Sequence, residues 1–230
     1  MSLNVLLAMP NATETALSLN LAGNGSSAVK IFLLFTALSF ASALIVSLTS
    51  FTRIIIVLSF VRQGLGTQSL PPNQVLLGLA LVLTGFVMAP TATRIYDDAL
   101  NPYLENQIDQ GVAVDKATAP MRDFMLRQTR SQDLQLFYEA SGRPMPSRGD
   151  VVPMTVAAPA FMISELTTSF RMGLFVYLPL MLIDLLVGAL LMALGMMMVP
   201  PTLVSLPLKL GVFLLADGWH LLAGSLLRSF

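Results

Sequence analysis

The 230 residues are 55% hydrophobic and only 11% charged, where an ordinary soluble domain carries roughly 25% charged residues; apolar surface must therefore face lipid or other subunits rather than water. Thirteen Lys and Arg balance thirteen Asp and Glu, which excludes the basic excess of a nucleic-acid binder. The absence of cysteine excludes disulfides, thiolate metal sites and a cysteine nucleophile.

Residues 1–29 hold no Lys or Arg, and their longest apolar run, Leu3–Ala8, is short for a secretory signal. They read as an irregular leader or a processed N-terminus. Ile31–Thr52 is uncharged over twenty-two residues, enough to cross a bilayer core as one helix. The helical pattern runs on through Arg53 and Ile54–Leu58 to Arg62, until Gly64, Gly66 and Pro71–Pro72 break it. Val75–Ala89 is a second apolar run, but at about 1.5 Å per residue it reaches roughly 22 Å of a roughly 30 Å hydrocarbon layer. It makes a poor span by itself. Residues 30–93 thus read as a first apolar helical hairpin.

Residues 94–150 carry seven basic and nine acidic side chains, sixteen of the twenty-six in the chain, and form a polar segment. Met121, Phe124, Met125 and Gln128, then Leu134, Phe137 and Tyr138, recur at helical spacing and predict amphipathic helices, with Arg122, Arg127 and Arg130 facing elsewhere. Gly142, Pro144, Pro146 and Gly149 predict a loop. Residues 151–230 form a second apolar hairpin. Phe175–Met198 is interrupted only by Asp184 and predicts a span; Pro200–Pro201 ends it, and Thr202–Phe230 is a fourth apolar piece holding Lys209, Asp217 and His220. Only the first and third runs would insert readily alone. The fold class is all-α, with membrane-associated hairpins in an oligomeric assembly. Arg53 and Arg62 flank the first hairpin tip, which favours the cytoplasm for it and the periplasm for the polar segment.

Two sets of residues draw a functional reading. Met192, Met196, Met197 and Met198 place four of fourteen methionines in seven residues. Methionine fills irregular gaps in cores, but three in succession splay around a helix or loop and cannot all meet one core. Beside Gly195 and Pro200–Pro201 they make a pliable surface. The second set is Arg53, Glu165, Arg171, Asp184, Lys209 and Asp217, isolated charges in apolar surroundings, each costly in lipid unless paired or wetted. They fit salt bridges between subunits and snorkelling at the interface, or in part a channel lining or proton relay, for which Asp184 in the longest apolar run is the first candidate. Sequence does not name its partner. No catalytic motif occurs: the one histidine, His220, lies near Asp217 and Ser225, but a triad is defined by geometry rather than by proximity along one helix, and no nucleophile elbow, zinc motif or Walker loop is present. The chain reads as a non-enzyme, without cofactor or metal.

Several strings resemble the FliP family of flagellar export proteins: Thr49-Ser50-Phe51-Thr52-Arg53-Ile54-Ile55-Ile56-Val57-Leu58, Leu65-Gly66-Thr67, Pro71–Leu81, Phe124–Arg130, Pro159-Ala160-Phe161, Ser164-Glu165-Leu166, Met192–Pro201, Ser205–Lys209 and Asp217-Gly218-Trp219. The resemblance implies a ring of FliP copies joined by FliQ and FliR in the bacterial inner membrane. In such a basal-body export gate, unfolded flagellar subunits pass through a central channel, with FlhA and FlhB completing the apparatus. It also implies that the methionine loop forms a gasket across the pore. The injectisome counterpart, serving effector secretion, is the alternative within the same resemblance; Phe124–Arg130 and the tail from Asp217 look more flagellar. A small secondary transporter is the alternative of a different class, but it calls for internal repeats, and the two hairpins share nothing beyond apolarity.

Overall fold

The computed structural model describes residues 29, 31–36, 39, 46–67, 70–146, 150–196 and 198–230. The leader through residue 28, much of the run Ile31–Thr52, and Gln68, Gly149 and Met197 lie outside them. The chain divides into two units, residues 1–45 and residues 46–230. In the first, residues 31–36 are helical, and the hydroxyl of Thr36 donates to the Phe32 carbonyl at 2.8 Å.

The second unit is built of α1 (Phe51–Gly64), α2 (Asn73–Leu104), α3 (Gln110–Gln128), α4 (Ser131–Ala140), α5 (Met154–Ala193), α6 (Pro201–Leu215) and α7 (Gly218–Arg228). Every regular element among the described residues is helical, as expected. The helices differ from the sequence expectation in four places. The unbroken run into Arg62 does not form; the chain turns at Leu48–Ser50 before α1. Thr49 is the cause: its hydroxyl donates to the Val46 carbonyl at 3.0 Å and accepts from the Phe51 N–H at 3.4 Å, offering the backbone an alternative to helical bonds.

The second apolar run is not a poor span. It extends into the 32-residue α2, one of two helices long and apolar enough to cross a membrane. Pro90 sits inside this helix, and Thr84 and Thr93 return hydrogen bonds to the carbonyls four residues back. Such side-chain bonds help apolar helices tolerate proline. At Tyr96–Leu100 the turn widens to a π-helix before α2 ends. The other qualifying helix, α5, begins twenty-one residues before the expected run at Phe175 and carries Pro159 within that added length. The fourth piece is a broken pair, α6 and α7 meeting at a 62° bend with Asp217 in the left-handed region (φ +50°).

Helix α5 organises the packing. It runs parallel to α1: Arg53 meets Glu165, Phe60 meets Gly173, and Gly64 meets Leu180. Gly173 permits the closest of these approaches, since a Cβ there would lie 2.4 Å from Phe60 Cδ2. The Phe60 ring also stands edge-on to Phe170 and Tyr177, with centroids 5.3 and 6.1 Å away. Helix α6 runs antiparallel to α5. Pro201 lies against Gly188, and Ser205, four residues on, bonds Asp184, four residues back.

The main core gathers Ile54, Val57, Leu58 and Val61 of α1 with Leu76 and Ala80 of α2, Leu180 of α5, Phe213 of α6, and Leu222 and Leu226 of α7. Each large side chain fully buried there contributes about 1.5–3 kcal/mol. The amphipathic reading of the polar segment holds: Phe124 and Met125 pack on Phe161, and Tyr138 packs on Val152, Val156 and Ala157. Arg130 departs from it, half-buried and turned toward α5 rather than away.

Candidate functional site: buried ion pairs and the methionine loop

Arg53, in the first turn of α1, is 2% exposed, and Glu165 of α5 is fully buried. Two charges in such a place persist only when paired and hydrogen-bonded. The guanidinium donates from Nε to Glu165 Oε2 at 2.9 Å and from Nη2 to Oε1. Its remaining capacity goes to Gln128 Oε1 at 3.1 Å, the Ser229 carbonyl at 2.6 Å and the Ser229 hydroxyl at 3.0 Å. Its Cζ stands 4.0 Å above the Phe230 ring, and Gln128 Nε2 donates to the Phe230 carbonyl at 2.8 Å. One arginine thus ties α1, α3 and α5 to the residues after α7.

A second network lies one residue away on α5. Arg130 forks onto both carboxylate oxygens of Asp133 at 2.8 and 2.9 Å and donates to Thr167 Oγ1 at 3.0 Å. Ser164 Oγ donates to Asp133 Oδ2 at 2.5 Å and accepts from the Arg130 N–H at 3.0 Å. Burial works to raise the Asp133 carboxyl, but the hydrogen bonds from Arg130 and Ser164 and the arginine charge outweigh it and hold the group below its usual value of 3.8. The junction of α3 and α4 is clamped to α5.

A third network ties α5 and α6 to the end of α1. Lys209 Nζ donates to Asp184 Oδ2 at 2.5 Å and to the Gly64 carbonyl at 2.9 Å, and Ser205 Oγ donates to Asp184 Oδ1 at 2.6 Å. Lys209 is the partner for Asp184 that sequence left open. Four of the six isolated charges are therefore paired inside one chain. Arg171 and Asp217 are exposed, and neither makes an ion pair among the described residues.

Sequence reasoning missed Gln128, Ser229 and Phe230 as partners of Arg53, and the whole Arg130–Asp133–Ser164–Thr167 cluster. One signal was available for the cluster: Arg130 and Asp133 are three apart at a helix start, a spacing that brings side chains together. Near His220, the Ser225 hydroxyl donates to the Leu221 carbonyl at 2.7 Å, so it is engaged with its own helix.

The methionine loop caps α5. After Ala193 the helix closes with a Schellman motif: Gly195 (φ +75°) donates to the Met192 carbonyl at 3.0 Å, and Met196 donates to the Leu191 carbonyl at 2.9 Å. Pro200 then caps α6. The two fixed helix ends leave a short loop between them. Met192 and Met196 are exposed, and Met198 is 95% exposed. Gly64 at the end of α1 meets α5 at Leu180, and α5 continues thirteen residues beyond that contact to Ala193. Leu185, Leu186, Leu190 and Leu203 on the adjoining turns of α5 and α6 are exposed as well.

The model of the FliP family matches residues 34–226. The chain is 53% identical over 202 residues to the flagellar biosynthetic protein FliP of Pectobacterium carotovorum subsp. carotovorum, covering 88% of this chain and 78% of that one. It is 49% identical over 207 residues to the protein of the same name from Bacillus subtilis (strain 168), covering 90% and 94%. To that of Caulobacter vibrioides it is 44% identical over 227 residues, covering 96% and 85%.

Proposed function

The chain belongs to the FliP family, and from that membership we propose that it is a pore-forming core subunit of the flagellar type III protein export gate, conducting unfolded flagellar subunits across the bacterial inner membrane. Copies of the chain assemble with FliQ and FliR around the channel, and FlhA and FlhB join them. The polar segment containing α3 and α4 faces the periplasm. The chain performs no catalysis; its contribution is shape, apolar surface and a seal.

The observation that carries this reading is the methionine loop. The exposed side chains of Met192, Leu194, Met196 and Met198, beside exposed Leu190 and Leu203, make an apolar patch that calls for cover by something outside the chain. Methionines converging from several copies supply that cover for one another. With three rotatable bonds each they conform to a closed gap and move aside for a polypeptide, and a dry apolar constriction excludes ions by excluding water.

Replacing Met196, Met197 and Met198 with Ala tests it. Alanine keeps helix propensity while removing most of the side-chain volume, so the assembly forms, and cells expressing it leak ions or small solutes. Conductance or small-molecule uptake is measured beside native mass. An assembled mutant complex as tight as the wild type refutes the gasket, and a chain that never assembles with further copies refutes the pore.

A further inference from the structure

The bend between α6 and α7 leaves a cavity of about 480 Å³ against α5, within the roughly 300–1,000 Å³ of small-molecule sites. Phe175 and Pro179 of α5, Val212 and Ala216 of α6, and Leu221 and Ser225 of α7 line it. Ser225 is the one polar side chain among the described lining residues, and its hydroxyl is engaged with the Leu221 carbonyl. A buried water needs several polar partners. The cavity has none to offer and suits an apolar occupant.

Two of the rows that line the cavity run on to an arginine. On α5, Arg171, Phe175 and Pro179 recur every four residues; on α7, Leu221, Ser225 and Arg228 recur at steps of four and three. Such steps keep side chains in one row along a helix. Both arginines stand at the same end. Ser229 bonds Arg53, which bonds Glu165, so the Arg228 end of α7 lies on the Glu165 side of the cavity, as Arg171 does on α5. Both are exposed, and neither makes an ion pair among the described residues. The Arg228 guanidinium folds back over Gly224, with Nη2 3.2 Å from where a Cβ would stand, which carries it toward the turn that holds Ser225. No acid of this chain answers them: Glu165 is committed to Arg53, and Asp217 stands at the opposite end of α7.

An occupant that satisfies both features is apolar along its length and negatively charged at one end. We propose that the cavity holds an acyl chain of an anionic phospholipid, with the phosphate taken by Arg171 and Arg228. This rests on α5 being in contact with lipid, and not on the chain being a pore subunit. A guanidinium matches phosphate oxygens with paired N–H donors. The phosphate in turn relieves two cations that are expensive to leave unpaired in apolar surroundings. The acyl chain fills the bend, and the arginines select the charge of the headgroup.

The test uses the full chain, delipidated in mild detergent, given phosphatidylglycerol or phosphatidylcholine, and weighed by native mass spectrometry. Wild-type chain is expected to retain phosphatidylglycerol in preference to phosphatidylcholine. Arg171→Gln with Arg228→Gln should weaken phosphatidylglycerol retention about tenfold, the scale of losing charge-assisted contacts. Ala216→Phe, which fills the cavity from its wall and keeps both arginines, should lose the lipid as well; circular dichroism confirms that the variants keep the wild-type helix content. Four results each overturn the inference and leave the pore reading standing. They are wild-type chain that retains no phosphatidylglycerol, equal retention of the two lipids, variants that bind as the wild type does, and an oligomer that sheds the lipid its monomer carries, which would mean that a neighbouring copy fills the cavity. Wild-type chain that binds the lipid but never assembles supports the inference and counts against the pore.

Discussion

Arg53→Met is the sharpest probe of how this fold is held together. The substitution keeps an unbranched apolar side chain but leaves Glu165, which is fully buried, with its counter-charge gone. It also strips a partner from Gln128 and from the Ser229 carbonyl. Removing one member of a buried pair costs about 3–5 kcal/mol, mostly because the other charge is stranded. Replacing both charges, Arg53→Met with Glu165→Leu, abolishes that penalty and leaves only the orphaned Gln128 and Ser229 groups, about 1–3 kcal/mol. The double variant is therefore more stable than Arg53→Met alone. Reversible unfolding in mixed detergent–SDS micelles, followed by circular dichroism, gives all four corners of the cycle. Costs that simply add, or an Arg53→Met loss below about 1 kcal/mol, would refute the view that Arg53 and Glu165 act as one unit.

Three further outcomes follow from the packing, the electrostatics and the charge pattern. Gly173→Ala drives a Cβ to 2.4 Å from Phe60 Cδ2 and should cost about 1–3 kcal/mol in the same assay; no loss would mean the ring yields freely. The Asp133 carboxyl is held below 3.8, so its stabilisation is complete above that value and fades as pH falls through the lower folded value. Asp133→Asn should flatten the acid limb of a stability–pH curve while leaving the slope near neutrality alone; an unchanged acid limb would show the cluster is not coupled to folding. Asn106→Cys should react with a membrane-impermeant maleimide from the periplasm and Gln68→Cys should not, and reversed labelling would invert the orientation.

Legibility in the sequence followed the range of the interactions. The amphipathic spacing of Phe124, Met125 and Tyr138 is local, and those residues are buried as it predicts. The methionine loop is likewise local, framed by a left-handed Gly195 and by Pro200. Helix lengths were misjudged where apolar runs were cut beside proline, whereas Pro90 and Pro159 lie inside long helices. The break before α1 went unseen because it rests on one hydroxyl, that of Thr49. The ion pairs were the least legible. Arg53 and Glu165 are 112 residues apart, Asp184 and Lys209 twenty-five, and no periodicity joins positions at such distances. The charges stood out as anomalous; which anomaly answered which was a matter of tertiary structure.

The partners of Arg53 are spread along the chain in a way that imposes an order in time. Gln128 is made 75 residues after it, Glu165 112 residues after and Ser229 176 residues after. At about 5–20 residues per second, the arginine waits roughly 10–35 s for the full set. Until Glu165 is made, α1 carries a cation without its counter-charge, and a lone cation resists an apolar environment. The helix therefore cannot take its buried place while it is being made. The full set of partners is in place only after α7 has emerged, which makes burial of this one side chain report on the folding of everything from α1 to α7.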